Sequence, residues 1–96
     1  MRWIAIFDNA PGVETSRLAR FDEHQAFLRA HPEITLAGSM RDEGVEAPLG
    51  GIWIIKGISR QAAMALCEAD PFFVAGVRSG YRLLDFRVAA RFDTPI

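Results

Sequence analysis

The sequence predicts an α+β fold: a four-stranded antiparallel sheet with two helices on one face, in the order β-α-β-β-α-β. Three observations carry this expectation. Four short runs are rich in β-branched and aromatic residues. Two longer runs lack Gly and Pro and are closed by Pro32 and Pro71. One such helical run falls between the first and second strands and the other between the third and fourth.

Each element has its own signal. Arg2 to Asp8 is an apolar run ended by Asn9, Pro11 and Gly12, a strand followed by a turn. Val13 to Ala30 predicts a helix, with Phe21, His24, Phe27, Leu28 and His31 on one side and Asp22, Glu23 and Arg29 elsewhere. Ile34 to Met40 is a second strand interrupted by Gly38, and Arg41 to Gly44 is a loop. Gly50 and Gly51 introduce the third strand, Ile52 to Ile58. Ser59 is placed to cap a second helix running through Ala69, where its hydroxyl can accept a bond from an early amide. On that helix Ala63, Leu66, Cys67 and Asp70 follow i, i+3, i+4, i+7 spacing, so its buried face ends in a carboxylate. Phe72 to Gly80 reads as a connection and Tyr81 to Ala90 as the last strand. This order is the split βαβ arrangement called ferredoxin-like, expected as a single domain over residues 1–96.

The strands do not alternate apolar and polar residues. Trp3, Ala5 and Phe7 oppose Ile4 and Ile6, while Trp53 and Ile55 oppose Ile52, Ile54 and Ile58. With helices on one face only, the other face needs a cover, and the same face of a second copy is the simplest one. A homodimer joined through its sheets is expected.

Composition narrows the function. Eleven basic and twelve acidic side chains give a formal charge of −1, and the pI is about 6.1. Nucleic acid and anionic membranes are therefore not expected as partners, since both call for a basic excess. The single Cys67 cannot form an internal disulfide, which fits a reducing cytoplasm. Asp8 cuts the N-terminal apolar run too short for a signal peptide or a membrane span. There is no GxGxxG, P-loop or GxSxG motif, so no nucleotide cofactor is indicated.

Histidine is scarce. His24 and His31 lie seven residues apart, about 10 Å along a helix, too far to share a metal without other ligands. No metal is expected. His31 precedes Pro32 at the helix end, where the macrodipole favours a cation and the residue serves as a terminus. His24 lies mid-helix in the apolar arc and needs a partner. Asp70 is the natural one, as a carboxylate at a helix C-terminus, where negative charge is disfavoured. Such a pair is either a general base with its orienting carboxylate or a buried structural pair. Cys67, on an Ala- and Leu-rich face, reads as core.

The stretch Glu68-Ala69-Asp70-Pro71-Phe72-Phe73-Val74-Ala75-Gly76-Val77, with His24 in Glu23-His24-Gln25-Ala26-Phe27-Leu28 and Leu36-Ala37-Gly38, resembles the YCII-related family of small bacterial proteins. The resemblance implies a dimeric α+β barrel of ferredoxin-like subunits and a His-Asp site, here His24 and Asp70. A dechlorinating activity on a chlorinated polyhydroxybenzene is known in that family, and no metal or organic cofactor is indicated. The expectation is a small cytosolic enzyme of lyase or isomerase type, dehalogenase-like in one form, acting on an oxygenated ring or carbonyl compound. The alternative is a non-catalytic ligand-binding or accessory module on the same barrel. Ser39, Arg41 and Tyr81, each at a strand end, are candidates for substrate contact, with surface or packing roles as the alternative.

Overall fold

A computed structural model describes residues 1–92; the last four residues of the expected 1–96 domain lie outside the described residues. The elements are β1 (Arg2–Asn9), α1 (Glu14–Ala19), α2 (Phe21–Ala30), β2 (Ile34–Met40), β3 (Gly50–Lys56), α3 (Arg60–Ala69), α4 (Pro71–Val74) and β4 (Arg78–Asp85), followed by a 3-10 turn at Ala90–Phe92. The sheet is antiparallel throughout, in the order β2-β3-β1-β4. This is the ferredoxin-like arrangement expected from the sequence.

The two-residue period of the strands sorts the sheet into two apolar faces. Ala5 lies between Trp53 on β3 and Leu83 on β4, and Phe7 lies between Gly51 and Tyr81. With Ile55, Ala63 and Cys67 these residues form the core, and Phe27 and Leu28 of α2 pack against it. The helices therefore cover the Ala5 and Phe7 side. The opposite side carries Ile4, Ile6, Ile52 and Ile54, with Leu36 and Leu84 more than a third exposed. Both faces are apolar and only one is covered within the chain.

Three boundaries differ from the sequence reading. The helix expected over Val13 to Ala30 breaks at Arg20, whose amide is shared between Ser16 and Arg17 carbonyls. No Gly or Pro marks the break. It lets α2 follow the core, since α1 buries no residue whereas α2 buries His24. β3 begins at Gly50, two residues early, and stops before Gly57, which turns the chain at φ +80°. The last strand runs over Arg78–Asp85 rather than Tyr81 to Ala90. Gly76, at φ +75°, turns the chain and the Val77 amide bonds the Phe72 carbonyl, so pairing with β1 starts at once. It ends when β1 runs out, at Trp3 opposite Asp85.

Ser59 caps α3 as expected, its hydroxyl accepting from the Ala62 amide at 3.1 Å. Pro71 does more than stop that helix. It is the first residue of α4, where its fixed φ suits a helix start, and Asp70 caps α4 by accepting from the Phe72 amide at 3.3 Å. The carboxylate expected to suffer at one helix end is thus held at the favourable end of the next.

Candidate active site

His24 is the one buried residue of α2. Its ring stacks on Phe72 at 4.0 Å with planes 9° apart, and its Nδ1 lies 2.7 Å from Asp70 Oδ1. The other carboxylate oxygen, Oδ2, accepts from Nε and Nη2 of Arg78 at 3.3 and 3.2 Å. His24, Asp70 and Arg78 are 7%, 0% and 8% exposed, which makes the trio a single buried polar line. Every oxygen of Asp70 is used, as burial of a carboxylate requires.

Arg78 lies in the stretch 72–80, where the sequence alone predicts only a connection. Its guanidinium sits 4.0 Å from the centre of the Phe7 ring, within cation–π range, and 5.4 Å from that of Phe72. Gly51 lies beside it: a Cβ there would meet Nη1 of Arg78 at an ordinary contact distance of 3.5 Å but would crowd the Gly38 carbonyl oxygen at 2.9 Å. Burial pulls the Arg78 guanidinium below its ordinary value, and Asp70 pulls it back up. The only advance signal was a buried carboxylate with an arginine eight residues on.

This arrangement fixes the histidine tautomer. An ionised Asp70 only accepts, so the proton on the His24 side of the contact belongs to Nδ1 and the lone pair is left on Nε2. Nε2 has no hydrogen-bond partner among the described residues. The imidazole borders a cleft of about 180 Å³, walled by Phe21, Leu28, Trp53 and Phe72 and by the polar groups of Ser39 and Arg41. A neutral imidazole with Nε2 open at a half-apolar cleft can accept a proton and return it.

Ser39 and Arg41 therefore border the same cleft as His24. Arg41 donates to Ser39 Oγ and to the Glu46 carbonyl, both at 2.7 Å. Tyr81 does not join them. The early start of β4 sets it opposite Phe7, where its ring meets Phe73 and its hydroxyl donates to Glu68 at 2.6 Å, outside the cleft. Burial and the Glu68 carboxylate raise its phenol above the ordinary value. His31 Nδ1 lies 2.8 Å from the Phe27 carbonyl at the end of α2, the terminal role its place predicts. Among the described residues no group of three or more His, Cys, Asp or Glu side chains is placed to hold a metal.

Cys67 is wholly buried in the core, and burial pushes its thiol from 9.0 up to about 12. A pKa raised on folding means stability that is complete below pH 9 and lost as pH climbs toward 12. Urea midpoints of the wild type should fall between pH 9 and 11, and more gently in Cys67→Ala. Equal slopes would show that the thiol does not carry the alkaline loss.

A family model of the YCII-related domain matches residues 1–87. The chain belongs to the YCII-related family. Solved structures share its ferredoxin-like fold. The 5-chloro-2-hydroxyhydroquinone dehydrochlorinase TftG of Burkholderia phenoliruptrix AC1100, in complex with 2,5-dihydroxybenzoquinone, superimposes with a TM-score of 0.86 at 20% identity, covering 97% of this chain and all of the other. An antibiotic biosynthesis monooxygenase gives 0.56 at 18% identity over 92% of this chain and 100% of its own. SnoaB, a cofactor-independent oxygenase from Streptomyces nogalater, gives 0.55 at 14% identity over 93% and 94% of the two chains. No curated protein matches the sequence. No helix among the described residues of this YCII-related chain is long and apolar enough to cross a membrane.

Proposed function

We propose that this YCII-related chain is a small enzyme of lyase or isomerase type in which His24 takes a proton from an oxygenated ring or carbonyl compound and returns it. The observation that carries the reading is the buried line Arg78–Asp70–His24, which ends in an unpartnered Nε2 at the cleft. Asp70 holds the imidazole in one tautomer and orientation, while Arg78 occupies the other carboxylate oxygen, so the working nitrogen is the Nε2 that faces the cleft. The likeness to a dehydrochlorinase that holds a dihydroxybenzoquinone supports a substrate of the size of one ring and a dehalogenase-like form of this chemistry. Ser39 and Arg41 are the proposed substrate contacts.

The test is direct. Nitrogen NMR of His24 should show Nε2 unprotonated at pH 8, and its titration should shift when 2,5-dihydroxybenzoquinone is added. A His24 signal indifferent to the compound defeats the reading. A second reading, a ligand-binding module without turnover, is favoured by the full satisfaction of Asp70, which would be stable with no catalytic duty. It predicts that the compound binds and is recovered unchanged.

We also propose a homodimer through the sheet face carrying Ile4, Ile6 and Ile52, because a largely apolar face is otherwise left to water. Sedimentation at micromolar concentration should give about 21 kDa, twice the 10.7 kDa chain, and a well-folded monomer would exclude the pairing. The lone free thiol supports a cytoplasmic setting, and the balanced charge a site for small molecules rather than nucleic acid or membrane.

A further inference from the structure

The cleft beside His24 is bordered by three arginines and, among the described residues, by no carboxylate. Two of the three are already matched. Arg17 grips Glu14 through Nε and Nη2, at 2.6 to 3.1 Å. Arg78 is bound to Asp70. Arg41 is different. Its two short contacts, to Ser39 Oγ and the Glu46 carbonyl, are to neutral oxygens. Its one ion pair among the described residues is with Glu46 Oε2, 3.7 Å away on a fully exposed side chain and so weakly held, and the Glu14 carboxylate, which also feels its charge, is already gripped by Arg17.

Arg41 is therefore held in place without being neutralised, and it keeps unused N–H donors. Its neighbour is primed as well: Ser39 Oγ accepts from Arg41, so its own O–H proton is left to donate. Ser39 lies opposite Gly51 on the helix-facing side of β2, toward the cleft. The segment that carries Arg41 is fastened by the Leu49 amide to the Met40 carbonyl at 2.7 Å and by the Val45 amide to the Asp42 carbonyl at 3.0 Å. A fixed, unmatched guanidinium beside a free hydroxyl proton is a recognition element for an oxyanion. A volume of about 180 Å³ is below the usual range for drug-sized ligands and admits a single ring between the aromatic walls.

We propose that Arg41 and Ser39 form the anion-selecting element of the cleft, so that the substrate is a small ring compound that presents an ionised oxygen to them, as a ring oxyanion or a carboxylate. This rests on the cleft being the substrate site, but not on His24 acting as a base.

Calorimetry at pH 7 tests it with two anions, benzoate and 2,5-dihydroxybenzoquinone, against the neutral benzamide and hydroquinone. At least one anion should bind about tenfold or more tighter than its neutral counterpart, and which one does so tells carboxylate from ring oxyanion. Arg41→Gln should erase that preference, Arg41→Lys should restore part of it, and Ser39→Ala should lower it less. Arg41 is on the surface, so unchanged circular dichroism will show that the fold is kept. Equal binding of anion and neutral compound overturns the proposal, as does a preference that survives Arg41→Gln, or no binding of any of the four at millimolar concentration. His24→Gln should keep the anion preference. If it does while His24 of the wild type ignores the ligand in NMR, the base reading falls and the anion site stands.

Discussion

Asp70→Ala should lower stability by about 3–5 kcal/mol, the cost of leaving one half of a buried ion pair without the other. Three donors lose their acceptor at once: His24 Nδ1, the Phe72 amide, and the Arg78 guanidinium, which is 5% exposed at its side chain. For a chain of this size that is a large part of the whole folding free energy. The urea midpoint should drop by at least about 1 M. Asp70→Asn keeps the shape but turns an amide donor toward either His24 or Arg78, so it should fall between Ala and wild type. Combining Asp70→Ala with Arg78→Met should cost less than Asp70→Ala alone, because no charge then remains buried. If all three variants melt with the wild type, the trio is not a coupled buried unit, and its part in orienting His24 goes too.

The second large effect is expected at Gly50. A Cβ there would stand 1.9 Å from the Phe7 carbonyl oxygen and 2.9 Å from its carbon, well inside van der Waals contact. Backbone cannot yield as a flexible side chain can, so Gly50→Ala has to push β3 away from β1, the pairing that carries most of the core. A loss of at least about 3 kcal/mol is expected, at the upper end for overpacking. Gly80→Ala is the control, since nothing lies within 4 Å of its Cβ and its φ is unremarkable. It should change stability by no more than about 1 kcal/mol, the backbone value of the exchange. Matching melts for the two variants would mean that the strands do not approach as closely as described.

Those two glycines show where the sequence was readable and where it was not. The runs around Ile4 and Ile54 announce strands through their branched side chains, and His24 and Asp70 stand out as polar groups on otherwise apolar helical faces. Such signals are local. Gly50 and Gly51 read only as an introduction to β3, because what they allow belongs to Phe7 on one neighbouring strand and to Gly38 on the other. Arg78 was invisible for the same reason: its partners are Asp70 in sequence and Phe7 across the sheet. Tyr81 falls outside the cleft because the turn at Gly76 lets β4 start at Arg78, three residues before the expected strand. The break at Arg20 answers to the core under α2 and leaves no mark in the residues that make it.

The strand order has a consequence for how the chain is made. β1 leaves the ribosome first yet occupies an inner position, and one of its two neighbours, β4, is the last strand to be synthesised. At ordinary translation rates the gap between them is on the order of seconds to tens of seconds. Through that interval a nascent chain that has paired β1 with β3 presents an open edge along Ile4 and Ile6, the kind of edge that recruits other chains. The arrival of Arg78–Asp85 closes that edge and supplies the cation for Asp70 in the same stroke. The His24 site is therefore finished only when β4 docks, and chains still lacking that strand are the ones most open to pairing wrongly with one another.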